Sequence, residues 1–158
     1  MKDLDWSNLS FGYRQTDYNV RCYYRDGKWG EIEVCSDEYL KLHMAATCLH
    51  YGQEAFEGLK AYRCPDGKVR VFRMDENAKR LQSTCRGILM PEVPTEMFEE
   101  MVKKVVRLNQ EWIPTYESGA TLYIRPLLIG TSAQVGVCLL YTSPSPRDST
   151  SHRMPSSA

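Results

Sequence analysis

The sequence predicts an α+β fold in which an antiparallel or mixed sheet packs against two helices. Runs of β-forming residues flank turn dipeptides in the first half of the chain and return after residue 120. Between them, two segments repeat apolar residues every three or four positions, as one face of a helix does. Because strands precede and follow the helix pair and do not alternate with helices, a doubly wound parallel sheet is not expected. Residues 1–137 are expected to form this one domain.

The first two elements are predicted β-hairpins. In the stretch 20–34, VRCYYRDGKWGEIEV, β-forming residues lie on both sides of Asp26-Gly27, a dipeptide that favours tight hairpin turns. The second hairpin joins a strand over 56–63 to a strand over 68–73 through the turn Cys64-Pro65-Asp66-Gly67. Alternation along this hairpin indicates one buried and one solvated face.

Two amphipathic helices follow, over about 75–90 and 95–112. Asp75 is positioned to cap the first helix, and Pro91 and Pro94 prevent it from continuing. Thr95 is positioned to cap the second. The apolar stripe of the first helix comprises Ala78, Leu81, Cys85, Ile88 and Leu89. The stripe of the second comprises Met97, Phe98, Met101, Val102, Val105, Leu108 and Trp112.

The chain returns to a strand pattern before its composition changes. Residues 121–129, TLYIRPLLI, are apolar and rich in β-formers, which predicts a partly buried strand. Residues 138–158 are dominated by serine, threonine and proline and have no apolar period. This segment is predicted to be a disordered tail, unlike a native domain in composition.

Composition and charge exclude several classes of partner. Twenty basic and twenty acidic residues give no net charge, so a nucleic-acid partner is not expected. The polar, mixed-charge first twenty residues do not resemble a signal peptide, and no run approaches the roughly 18 to 20 apolar residues of a membrane span. We therefore expect a cytoplasmic protein. The six cysteines lack the spacing of a zinc site, so no metal is predicted.

The segment 50–62, HYGQEAFEGLKAY, is the first candidate site. Aromatic and charged residues lie between two glycines that permit close backbone approach. One interpretation is a binding loop. The alternative is a loop leading into an edge strand, with Tyr51 and Phe56 buried and Glu57 solvated.

Two further segments place a cationic side chain where it could hold an anion. Arg80 lies early in the first helix, where the helix dipole and a guanidinium suit a phosphate, although solvated arginines are common at such positions. Period two puts Tyr123 and Arg125 on the same face of an apolar strand. An arginine buried there would need a carboxylate partner, either structural or from a bound ligand.

Four blocks in order, HYGQEAFEGLKAYR, FRMDENAKRL, LMPEVP and TLYIRPLLIG, carry a resemblance to a known family. Together they resemble the branched-chain amino acid aminotransferases, which are fold-type IV pyridoxal-phosphate enzymes. The resemblance spans about residues 4–137, and implies the small N-terminal domain that covers one side of the cofactor. It also implies transfer of the amino group of leucine, isoleucine or valine to 2-oxoglutarate, and a homodimer.

The resemblance assigns roles to five residues. Arg80 is implied to bind the phosphate of pyridoxal 5'-phosphate. Tyr123 and Arg125 are implied to recognise the substrate carboxylate, and Phe56 to line the pocket for the branched side chain. Tyr51 is implied to line the same pocket across the dimer interface.

The resemblance also implies that the catalytic residue is missing from this sequence. The Schiff-base lysine of the family, which also moves the substrate proton, falls beyond Val137, so no catalytic residue is assigned and the fragment is expected to be inactive. Lys60 matches a position that is not catalytic in the family. Two alternatives stay open: a non-catalytic anion-binding or interaction domain, and a relative of the D-amino acid aminotransferases or aminodeoxychorismate lyases.

Overall fold

The computed structural model describes residues 12–135 of the 158-residue chain. In chain order its elements are β1 (Asn19–Arg21), β2 (Tyr24–Arg25), β3 (Lys28–Trp29), β4 (Glu33–Cys35), α1 (Thr47–Tyr51), β5 (Glu54–Phe56), β6 (Leu59–Arg63), β7 (Val69–Val71), α2 (Met74–Gly87), α3 (Thr95–Leu108), two short 3-10 helices (Gln110–Trp112 and Tyr116–Ser118), β8 (Leu122–Ile124) and β9 (Leu127–Ile129). Every strand pair in this part of the chain is antiparallel. The predicted α+β class is confirmed.

Both predicted hairpins form. In the first, β1 pairs with β4 and β2 with β3, and Asp26 and Gly27 take the positive φ angles of 52° and 78° that the tight turn requires. In the second, β6 pairs with β7 around a turn in which Gly67 has a φ of 73°. The indole of Trp29 donates a 2.9 Å hydrogen bond to the carbonyl of Glu92, which ties the first hairpin to the loop between the helices.

Both helices form, but they start differently from the prediction. α2 begins at Met74, directly after Arg73 in a left-handed conformation, and α3 begins at Thr95 after the extended Pro94. No side-chain hydrogen bond caps either start, so the capping roles expected of Asp75 and Thr95 were wrong. The backbone enters each helix one residue too early for these side chains to reach an unpaired amide, because each already lies within the first turn.

The core lies between the helices and the face of β6. Its buried members include Leu59 and Ala61 from β6, Ala78, Leu81 and Cys85 from α2, Phe98, Val102 and Val106 from α3, and Ile113. The predicted stripes are therefore largely confirmed. Leu89 is the exception, since it follows the end of α2 with a φ of 55° and its side chain is 59% exposed. The second stripe ends with α3, and Trp112 lies in a separate 3-10 helix.

The strands predicted over 56–63 and 121–129 are each broken in two. β6 pairs with β7 and β8, whereas β5 pairs with β9, so the break at Glu57-Gly58 lies opposite the break at Arg125-Pro126. Pro126 has no amide hydrogen to donate to a ladder, and its carbonyl instead accepts a 2.9 Å hydrogen bond from the amide of Glu57. This paired interruption places the candidate residues of both segments beside each other.

Two sequence-based expectations concern other parts of the chain. The disordered tail predicted over 138–158 lies outside the described residues, and so does the boundary at residue 137. Within residues 12–135, no helix combines the length and apolar character needed to cross a membrane.

Candidate functional site

The interruption of the two ladders brings Phe56, Tyr123 and Arg125 together. The guanidinium carbon of Arg125 lies 4.7 Å from the ring centroid of Phe56 and 5.6 Å from that of Tyr123. Both distances fall within the range of cation–π attraction. Tyr123 and Arg125 therefore share one side of the strand, as the period-two pattern predicted. The cluster presents a cation between two aromatic rings.

This cluster faces outward. The Phe56 side chain is 61% exposed and that of Tyr123 is 43% exposed, and Arg125 is also exposed. The expectation of a buried Arg125 was wrong, because the strand break at Pro126 turns the side chain out of the apolar layer. An exposed guanidinium needs no structural carboxylate, so its donors can reach an anion from outside.

A glycine allows Tyr123 to lie close to the β5–β6 break. A Cβ atom added to Gly58 would lie only 2.7 Å from the Tyr123 hydroxyl oxygen. Gly58 precedes Leu59, which pairs with Ile124, and Lys60 pairs directly with Tyr123. The tyrosine hydroxyl is thus held against backbone at a place that any larger residue would fill.

Glu57 is the functional residue that sequence reasoning missed. Its side chain is only 3% exposed, and its carboxylate receives hydrogen bonds from both Arg80 and Asn77. The alternative in which Phe56 is buried and Glu57 solvated is therefore reversed in the structure. A signal was present in the sequence, because Glu57 shares a period-two register with Ala55 and Leu59, both of which are buried.

Arg80 is held by this buried carboxylate. The Arg80 Nε donates to Glu57 Oε1 at 2.9 Å, and Nη2 donates to Oε2, which gives the paired geometry of a guanidinium on a carboxylate. Burial by itself would raise the pKa of Glu57, but the hydrogen bonds from Arg80 and Asn77 outweigh it, and the pKa is lowered from 4.5. The pair is thus charged at neutral pH.

The remaining donors of Arg80 fit a phosphate. The guanidinium has five N–H groups, of which Glu57 takes two, and the side chain is 67% exposed. Arg80 lies in the second turn of α2, about 9 Å along the axis from Met74 at 1.5 Å per residue. The guanidinium, and not the first-turn amides, is therefore the group that an anion would meet here.

Tyr51 lies at the end of α1, before Gly52 with a φ of 60°. Its ring centroid is 6.2 Å from that of His50. The predicted role of Tyr51 involves a second chain and stays a prediction. Lys60 lies on the exposed side of β6. Among residues 12–135, no group of three or more His, Cys, Asp or Glu side chains is arranged to hold a metal ion.

Comparison of this fold with solved structures defines the class. The chain superimposes on the Escherichia coli branched-chain amino acid aminotransferase with a TM-score of 0.56 and 26% identity, covering 80% of this chain and 36% of that one. It is also similar to the T.th. branched-chain amino acid aminotransferase with pyridoxamine 5'-phosphate, with a TM-score of 0.55 and 29% identity over 71% of this chain and 34% of that one. The fold is that of the fold-type IV aminotransferases.

Sequence relatives narrow the class to a family. The chain is 53% identical over 137 residues to the branched-chain-amino-acid aminotransferase of Haemophilus influenzae, and 46% identical over 137 residues to that of Helicobacter pylori. Each match covers 87% of this chain and 40% of the relative, so the chain spans about two fifths of the length of these curated relatives. No family model matches it. On these similarities, the chain belongs to the branched-chain-amino-acid aminotransferase family.

Proposed function

We propose that this chain supplies the small-domain half of the active site of a pyridoxal-phosphate-dependent branched-chain aminotransferase. The complete enzyme would transfer the amino group of leucine, isoleucine or valine to 2-oxoglutarate. The observation that carries the proposal is the outward-facing cluster of Phe56, Tyr123 and Arg125 beside the Arg80–Glu57 pair, in a chain 53% identical to a named family member over 137 residues.

Each residue has a separate role in this proposal. Arg80 would bind the cofactor phosphate through the donors that Glu57 leaves free. Arg125 would bind the substrate carboxylate, with the Tyr123 hydroxyl as a second donor. The exposed ring of Phe56 offers apolar area of the kind that a branched side chain covers, and it also holds the Arg125 guanidinium in place.

The chemistry and the architecture divide between this chain and the rest of the enzyme. Pyridoxal phosphate, when bound, supplies an electron sink for the substrate Cα electrons. This chain would orient the phosphate and the carboxylate, and would cover one side of the site against water. The 158-residue chain alone is proposed to be inactive, because the family resemblance places the cofactor-binding lysine outside this sequence. A cytoplasmic homodimer in which Tyr51 reaches the partner's pocket is part of the same proposal.

A chimera tests the proposal directly. The 137 matched residues would replace the equivalent two fifths of the Haemophilus influenzae relative, and transfer from leucine to 2-oxoglutarate would be measured. We expect activity in the chimera, a higher KM for leucine in its Arg125→Ala variant, and none in the 158-residue chain. A folded chimera that retains its cofactor and shows no transfer would favour the non-catalytic anion-binding alternative. Turnover by the unextended chain would contradict its proposed inactivity.

A further inference from the structure

We propose that Glu57 is a positioning residue for phosphate binding, which fixes the Arg80 guanidinium so that its free donors face outward. The inference rests on the proposed function, in which Arg80 binds the cofactor phosphate. It concerns a residue that touches neither phosphate nor substrate and acts through Arg80.

The first argument is the opposite burial of the two partners. The Glu57 side chain is 3% exposed, whereas that of Arg80 is 67% exposed. A buried carboxylate on the sheet cannot change position easily, while an exposed arginine has many rotamers in solvent. Because two of its N–H groups are fixed to Glu57, the planar guanidinium has one defined orientation. The pair therefore orders the exposed partner.

The second argument is that Glu57 is itself fully held. Asn77 Nδ2 donates to Glu57 Oε2 at 2.8 Å and lies 3.3 Å from the carbonyl oxygen of Gly58. Asn77 precedes Arg80 by one helical turn, so α2 contributes both donors to one carboxylate. The amide of Glu57 is bonded to the carbonyl of Pro126. Side chain and backbone together fix the carboxylate at the break between β5 and β6.

The negative charge of Glu57 also has an opposing effect. A carboxylate behind the guanidinium repels an incoming phosphate and lowers the net charge that the phosphate meets. Solvent around the exposed Arg80 screens this repulsion, and the phosphate lies farther from Glu57 than Arg80 does. The ordering of Arg80 acts at full strength regardless of screening. We therefore expect loss of Glu57 to weaken phosphate binding.

The test compares variants of the full 158-residue chain by calorimetric titration. The probe is pyridoxamine 5'-phosphate, and pyridoxamine without the phosphate reports any binding that does not involve Arg80. Asp66→Asn is the matched control, because Asp66 pairs with Arg70 through the same two-bond geometry on an exposed turn. Far-UV circular dichroism checks that each variant is folded.

We expect Glu57→Gln to weaken binding of the phosphorylated probe by roughly tenfold, the lower end of the effect of outer-shell partners. Arg80→Ala should abolish the preference for the phosphorylated probe, and Asp66→Asn should leave it unchanged. Equal binding by the wild-type chain and Arg80→Ala would overturn the proposed role of Arg80, and the inference with it. Weaker binding by Arg80→Ala alone, or tighter binding by Glu57→Gln, would overturn only the inference.

A second measurement keeps the inference open to refutation if Glu57→Gln does not fold. In the wild-type chain, nuclear magnetic resonance can follow hydrogen exchange at the Arg80 Nε–H. Arg73 is the control, because its side chain is 63% exposed, close to the value for Arg80, and its ion pair with Glu76 is 3.9 Å long. We expect slower exchange at Arg80 by roughly tenfold or more, the factor that about 1.4 kcal/mol represents. Equal exchange rates would overturn the proposal.

Discussion

Two arginine–carboxylate pairs in this chain have similar geometry and different surroundings. Glu57 and Arg80 join a sheet to a helix across 23 positions, and the carboxylate is buried. Asp66 and Arg70 lie four positions apart around one hairpin turn, with side chains that are 45% and 53% exposed. In both pairs a guanidinium donates two hydrogen bonds to one carboxylate.

The comparison shows that burial of one partner decides what a pair can do. At the hairpin, water competes for both side chains, and such exposed pairs contribute little to stability. At Glu57, the carboxylate has lost water and depends on Arg80 and Asn77 for hydrogen bonds. The buried pair is therefore coupled to the packing of β6 against α2, and its exposed half carries that constraint to the surface.

The adjacent glycines differ in the same way. Gly58 follows Glu57 and leaves room for the Tyr123 hydroxyl, whereas Gly67 follows Asp66 with a φ of 73° and open space around it. One glycine is required by a neighbouring side chain and the other by its own backbone conformation. The site region is thus specified by tertiary contacts, and the hairpin by local geometry.

Removing the charge of each carboxylate should separate the two pairs most strongly. We expect Glu57→Gln to lower the free energy of unfolding by about 1.5 to 3 kcal/mol at pH 7, the scale of a hydrogen bond to a charged group. The Gln amide would place a donor opposite Arg80 or Asn77. Urea denaturation of Asp66→Asn should show no measurable change. Equal losses in the two variants would mean that burial does not distinguish the pairs.

The pH dependence of stability should show the same contrast. The pKa of Glu57 is lowered below 4.5 in the folded chain. Its contribution to stability is therefore fully present above about pH 4.5 and is lost as the pH falls through the folded pKa. Urea midpoints for the wild-type chain and Glu57→Gln should differ at pH 7 and converge in acid. A difference that persists unchanged at pH 3 would rule out the charge as its source.

Alanine at the two glycines should give effects of different kinds. Gly67→Ala should cost about 1 to 2 kcal/mol, because alanine resists the left-handed backbone, and should leave the Tyr123 ring signals unchanged. Gly58→Ala should shift those signals, because the new methyl group displaces the hydroxyl. Nuclear magnetic resonance and urea denaturation measure both effects. Unmoved Tyr123 signals in Gly58→Ala would contradict the close contact.

The smallest expected effect is at the hairpin pair. The two hydrogen bonds from Arg70 are the main reason that the pKa of Asp66 is lowered from 3.8 to about 2. Arg70→Ala should move this pKa back towards 3.8 without a measurable loss of stability at pH 7, where the carboxylate is charged in either case. Carbon-detected titration of Asp66 reports the shift, with the wild-type chain as the control. An unchanged pKa would exclude Arg70 as its cause.

The sequence was sufficient for elements whose causes are local. Both hairpins form around Asp26-Gly27 and the turn ending at Gly67, since these turn conformations depend on neighbouring residues. Both helices form because their apolar stripes repeat at helical spacing. The caps expected of Asp75 and Thr95 failed because a cap depends on the single residue at which the backbone enters the helix.

The sequence by itself therefore determined the fold class, the order of the elements and the family resemblance, because periodicity, turn residues and motif order are properties of consecutive residues. Only the tertiary structure decided that Glu57 is buried and Arg125 exposed. The partners of Glu57 are 20 and 23 positions away, and the outward turn of Arg125 depends on a strand break at Pro126 opposite another at Gly58. Burial of a charge is set by which distant groups can replace its water, and that is known only once the chain is packed.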